Sequence, residues 1–256
     1  MFNGFIDLTN SLQNDWGEQL LKAVVSQRIG DLFTYSQSVE VSIESDPASQ
    51  LLQGEIDRLI MKGQGLIIHR DFSVEELSFA TDRVLLDFES VLKGKIHLKQ
   101  PTHAIAQVII SEADINRAFQ TELVQKHIQQ LIHGQPISFG AIQVQILPEN
   151  RLHFFAKADV PNYGQLPICL SGNVIVDRPY RLALINPQFL TNLVPESLTK
   201  MVQKLNTIFT ESLNNLVRVD NLAVDGVKLL LNHVETEAEK LIFSGDAEIT
   251  HFPQSG

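Results

Sequence analysis

Apolar and polar positions follow two rhythms along this chain, one helical and one strictly alternating. From Trp16 to Phe33 the apolar residues recur every three or four positions: Trp16, Leu20 and Val24 on one row, and Leu21, Val25, Ile29 and Phe33 on the next. Glu18, Lys22, Gln27 and Asp31 lie opposite, so the segment reads as an amphipathic helix, capped by Asn14 or Asp15 and ending near Thr34. Ser38 to Glu44 then alternates cleanly, with Val39, Val41 and Ile43 turned inward and two glutamates outward. One dry face and one wet face mark an antiparallel strand.

The stretch from Leu51 to Phe119 runs from sheet to helix. Gly63 and Gly65 punctuate two extended runs, which predicts a hairpin or a bulge between them. Leu77, Phe79 and Leu85 share one parity while Ser78, Ala80 and Asp82 take the other, a half-buried strand. A turn over Phe88 to Gly94 follows. Ala104 to Ile110 is apolar on nearly every position and reads as a deeper strand. Ser111 and Asp114 then form a shortened capping box at the start of a helix that runs to about His133, with a break near Thr121.

A second block of strands follows: Ile142 to Ile146, Leu152 to Ala158, and Leu166 to Leu170, where Pro167 predicts an edge position or a bulge. Tyr180, Leu182 and Leu184 close it. Asn186 and Pro187 predict a short helical turn over 187–192. From Pro195 to about Val217 comes the strongest helical pattern, with Leu198, Met201, Val202, Leu205, Ile208, Phe209, Leu213 and Leu216 on one face. Two last strands, Val227 to Val234 and Lys240 to Thr250, pair as a hairpin. This order is α+β, with neighbouring strands antiparallel.

The runs Leu51-Leu52-Gln53-Gly54, Met61-Lys62-Gly63-Gln64-Gly65-Leu66, Val84-Leu85-Leu86-Asp87, Val91-Leu92-Lys93-Gly94 and Ser111-Glu112-Ala113-Asp114-Ile115-Asn116 resemble the LmeA-like phospholipid-binding domain family. The resemblance is closest over Val39 to Leu131 and more diffuse from there to Phe252. It implies a domain similar to the tubular lipid-binding (TULIP) superfamily: one elongated domain whose long, curved antiparallel sheet wraps around amphipathic helices and holds acyl chains in an apolar interior. Residues 1–14 are then an irregular lead-in, and 15–252 the lipid-binding-like domain.

Composition changes this picture in three ways. With 256 residues, 44% of them hydrophobic, the chain can bury a large core, and no linker-like or low-complexity tract divides it. A formal net charge of −10 argues against nucleic-acid binding and against electrostatic capture by an anionic membrane, leaving Lys93 and Lys95 as a local basic patch. Cys169 is the single cysteine, so no intrachain disulfide forms. The first residues, Met1 to Leu8, lack a basic and a long apolar region, and no apolar run approaches ~20 residues. The expected setting is cytoplasmic, possible membrane contact being peripheral on an intracellular membrane.

Candidate chemistry is sparse. His97 with His103 and His127 with His133 are the best metal pairs, but six residues along a helix turns the second ring away from the first, and no metal is expected. Ser171-Gly172 lacks the preceding glycine of a nucleophile elbow. Gly63-Gln64-Gly65 lacks the third glycine of a dinucleotide loop. Cys169 has no local histidine. No catalytic residue, no cofactor and no enzyme activity are expected.

What remains is the apolar stripes: Trp16, Leu20, Val24 and Phe33 on the first helix, and Leu198, Val202, Leu205, Phe209 and Leu213 on the last. They are the expected lining for phospholipid or another acyl-chain lipid, although core packing against the sheet produces the same pattern. The alternative is an adaptor that offers a sheet edge or an apolar helix face to a protein partner of unknown identity. A lipid hydrolase ranks third, for want of a nucleophile motif.

Overall fold

Strict alternation in the sequence becomes sheet, and the three-and-four stripes become helices laid against it. The computed structural model describes residues 19, 21–68, 72–93, 95–132, 136–178, 181–189, 194–216 and 226–251. Helix α1 covers 21–30, and Leu21, Val25 and Ile29 are its buried row, as the spacing predicts. Strand β1 (Ser38–Glu44) follows, then β2 (Glu55–Ile56), β3 (Arg58–Ile68), β4 (Phe72–Thr81), β5 (Val84–Leu85), helix α2 (Phe88–Leu92) and β6 (Thr102–Ser111). Helices α3 (Glu112–Phe119) and α4 (Glu122–Leu131) come next. The chain continues through β7 (Ser138–Leu147), β8 (Arg151–Val160), β9 (Gly164–Arg178), β10 (Arg181–Phe189), α5 (Thr199–Leu216), β11 (Val227–Glu237) and β12 (Lys240–Ile249).

The strands form two open antiparallel sheets, not a barrel. A six-stranded sheet has the order β1-β3-β4-β6-β12-β11, a four-stranded sheet the order β10-β9-β8-β7, and β2 with β5 makes a small third ladder. The expected α+β class, with long antiparallel sheet and amphipathic helices, is what is found. Residues of both large sheets, α4 and α5 share one apolar cluster, while α1 sits over a second cluster with Ile43, Leu51, Leu59, Met61 and Val91.

Side-chain amides close the exposed strand edges. Along β7, the i, i+4, i+8 row of α3 meets the free backbone groups. Glu112 Oε2 accepts from Ile146 N (2.7 Å), Asn116 both accepts from Val144 N (2.7 Å) and donates to its carbonyl (2.9 Å), and Gln120 donates to the Ile142 carbonyl (3.0 Å). Asn214 of α5 treats Leu184 of β10 the same way, accepting from its N–H at 2.7 Å. Asn150, in the β7–β8 turn, accepts from Thr236 N (2.9 Å) and donates to the Val234 carbonyl (3.1 Å), tying the four-stranded sheet to the outer edge of β11. An unpaired edge invites another chain, and these carboxamides, with the Glu112 carboxylate, satisfy it from within.

Several local expectations need correction. Gly63 and Gly65 mark no reversal: β3 runs through both, and Gly65, at φ +56°, bends the strand without shifting its register with β4. Residues 88–92 are a helical turn because the Asp87 carboxylate accepts from Glu89 N and caps it. Asn186 and Pro187 do not open a helix. They lie inside β10 at a register shift between Ile185 and Gln188, where Asn186 adopts φ +50° and proline's missing donor is tolerated; residues 190–193 lie outside the described ones. The last hairpin turns at Ala238 and Glu239, both with positive φ, so β11 extends to Glu237, farther than its apolar alternation.

Other expectations stand. Thr121 caps α4 and separates it from α3, the break read from the sequence. Pro167 pairs with Lys157 of β8 at a point where β10, which reaches only Leu170, offers no neighbour among the described residues; it is locally at an edge.

Candidate functional site

Strand register places the apolar residues of the six-stranded sheet in rows. Val39, Gly63, Leu77, Val108, Phe243 and Val234 form one line across all six strands. Val41, Met61, Phe79, Ala106, Gly245 and Leu231 form the next. Five inter-strand steps make each row roughly 24 Å long. Gly245 is obligatory in its row, since a Cβ there would collide with the Leu230 carbonyl oxygen.

Burial along these rows is uneven. Met61, Phe243, Val234 and Leu231 are buried, whereas Leu77, Phe79 and Val108 in the middle are only half-buried. Val108 packs against the large cluster alone, whereas Leu77 and Phe79 sit where separate apolar clusters meet. Phe33, Val39 and Leu77 touch both the large cluster and the α1 cluster. Phe79 and Leu98 touch the α1 cluster and a small third one of Ala104, Ala247 and Ile249, and Leu229 joins that third cluster to the large one. All six are half-buried. The result is an apolar seam on the inner face of the sheet whose side chains keep part of their surface exposed.

The residues picked from the helical stripes fall in different places. Val202, Leu205, Phe209 and Leu213 of α5 are buried together in the large cluster, and Leu198 packs half-buried against it. Phe209 meets Phe139 edge-on at 4.9 Å and Phe154 at 6.3 Å, so this stripe lies against the four-stranded sheet. Val24 packs half-buried on the α1 cluster, and Phe33 lies on the seam itself. Trp16 and Leu20 lie outside the described residues. Sequence reasoning assigned no binding role to Leu77, Phe79, Val108, Leu98 or Leu229. The parity of Leu77 and Phe79 was legible, whereas the strand of Val108 is apolar on nearly every position and hides its inward face; the partial exposure of all five depends on how distant segments are joined.

The polar groups have structural explanations. In Asp87, Ser90 and His97 a serine, a histidine and a carboxylate stand together, yet in the wrong order for a nucleophile: the Ser90 hydroxyl gives its proton to Asp87 Oδ2 (2.6 Å), and His97 Nδ1 lies 3.2 Å from the Ser90 oxygen. The hydrogen bond from Ser90 holds the Asp87 carboxyl below its ordinary range. Burial pushes the Cys169 thiol up. Glu75, bonded to Lys240 Nζ at 2.6 Å, raises that ammonium. Among the described residues no three His, Cys, Asp or Glu are placed to share a metal ion. An open depression of about 730 Å³ lies between α3 and the outer face of β7 and β8, and its Asn116 and Gln120 amides are already bonded to the strand.

Asp114 shows how the sheet is joined to α3. Burial pushes its carboxyl upward, but hydrogen bonds from Ser111 and Ser73 (2.6 and 2.7 Å) and the Arg117 charge together bring it below the ordinary carboxylate range. A folded-state pKa below the unfolded one adds stability at neutral pH that is lost as pH falls through about 4 toward the lowered value. Asp114→Asn is expected to cost about 1 kcal/mol at pH 7 and to flatten that acid dependence, as urea midpoints at pH 7 and pH 3 will show.

Fold and seam together define a class: an α+β protein with open antiparallel sheets, amphipathic helices packed against them, and a line of half-buried apolar residues. The family model described as LmeA-like phospholipid-binding matches residues 12–246, nearly the whole chain, and the protein belongs to that family. No curated protein and no solved structure matches it.

Proposed function

We propose that this protein binds phospholipid or another acyl-chain lipid without catalysis, taking the chains along the seam between the apolar clusters and offering them to or from a membrane surface as a peripheral, cytoplasmic carrier. The observation that supports it most is the set of half-buried inward residues Leu77, Phe79, Val108 and Leu229 on one face of the six-stranded sheet, in a member of a phospholipid-binding family. Each methylene laid on such a lining gains about 0.8 kcal/mol, which gives affinity with little headgroup preference. In this reading Val24, Leu198, Val202, Leu205, Phe209 and Leu213, with Trp16 and Leu20 of the first stripe, remain the helical candidates for lipid contact, and Phe33 lies on the seam. No described helix is long and apolar enough to cross a membrane.

The test is uptake. Delipidated protein incubated with phosphatidylcholine vesicles and re-isolated is expected to carry about one phospholipid per chain by native mass spectrometry. Protein that emerges lipid-free, and that also purifies lipid-free from cells, overturns the proposal.

A further inference from the structure

Helix α5 carries polar side chains on the face it buries. Asn206 is 1% exposed, and Thr210 and Ser212 are also buried. Each donates inside the helix: one Asn206 Nδ2 proton goes to the Val202 carbonyl (3.0 Å), Thr210 Oγ1 donates to the Asn206 carbonyl (2.8 Å) and Ser212 Oγ to the Ile208 carbonyl (2.8 Å). The Asn206 amide nitrogen is thereby engaged, and its oxygen is not. Asn206 Oδ1 is buried and has no hydrogen-bond partner among the described residues. Turning the amide over would set two acceptors, Oδ1 and the Val202 carbonyl, against each other, so chemistry fixes its orientation.

A buried carboxamide oxygen left alone costs its full desolvation, so it calls for a donor from outside the chain. The unpartnered atom is an acceptor set among buried apolar side chains, Val202, Leu205 and Phe209, so the partner that suits it is a neutral O–H and not an anion. We infer that Asn206 Oδ1 is a lipid contact that accepts a hydrogen bond from a free hydroxyl on a bound acyl lipid, and that α5 thereby selects hydroxyl-bearing lipids. This rests on the acyl-lipid reading above and adds a specificity to it.

The experiment compares two probes that differ only in that proton, 1,2-dioleoylglycerol and its 3-O-methyl ether, each offered to the full-length protein in phosphatidylcholine vesicles. Wild-type protein is expected to bind the free alcohol about tenfold more tightly, the discrimination expected of one buried hydrogen bond. In Asn206→Leu the preference falls to about onefold, while affinity for the ether is unchanged. Equal affinity of the wild type for both probes, as a permanently held water would give, overturns the contact and leaves the lipid reading standing. A preference that survives in Asn206→Leu overturns it equally. Uptake of phosphatidylcholine but of neither probe overturns the contact and leaves the lipid reading standing, whereas uptake of no lipid at all, phosphatidylcholine included, removes both. If Asn206→Leu does not fold, the wild-type ratio decides alone.

Discussion

Phe209→Ala is expected to lower stability by about 3–5 kcal/mol, the largest single-residue effect in the molecule. Phe209 is fully buried at the centre of the large cluster, edge-on to Phe139 and Phe154. Truncation removes its apolar area, opens a cavity, and breaks two aromatic contacts that add stability beyond area alone. A domain of this kind has about 5–15 kcal/mol in total, so the loss is a large share of it. Thermal unfolding followed by circular dichroism is expected to show a midpoint about 10 °C lower or more. Phe209→Leu, which fills most of the space, is expected to lose much less. A Phe209→Ala protein within about 1 kcal/mol of wild type would mean that α5 is not packed as described.

Leu77→Asp is expected to act on the seam instead of the core. Leu77 is half-buried where the large and α1 clusters meet, so a carboxylate there reaches water without unfolding the sheet, yet it presents charge where an acyl chain lies. Loss of the leucine's apolar contribution alone, about 1.5–3 kcal/mol, reduces phospholipid uptake by at least about tenfold. Leu123→Asp and Ile105→Asp are the controls, since both leucine and isoleucine are already 70% exposed. These two variants are expected to take up lipid like the wild type. If Leu77→Asp takes up lipid normally while Leu123→Asp or Ile105→Asp does not, binding belongs to the outer surfaces.

What could be read in the chain was whatever a local period encodes. The α5 stripe, the buried row of α1, the Ser111 cap and the Thr121 break all depend on residues within two turns of one another, and each is present. Gly65 and Asn186-Pro187 were misread because a positive φ or a missing donor marks a change of backbone direction without saying whether the strand resumes. Here the ladder with β4 or β9 carries it onward. The seam was least legible. Leu77, Val108 and Leu229 come from strands far apart in sequence, and only the order β1-β3-β4-β6-β12-β11 brings their half-covered side chains together. The polar side chains at the strand edges had a faint signal, the spacing of Glu112, Asn116 and Gln120 by fours, which reads equally well as the solvent face of a helix.

The claim beneath all of this is that hydrocarbon from outside completes an interior which the chain leaves unfinished. Photolabelling with a phosphatidylcholine that carries a diazirine midway along one acyl chain, followed by peptide mapping, addresses it at residue level. Adducts are expected on β4, β6 and β11, at or beside Leu77, Val108 and Leu229. Adducts confined to the outer positions Ile105 and Leu123, or none above the level given by a soluble diazirine, would contradict it.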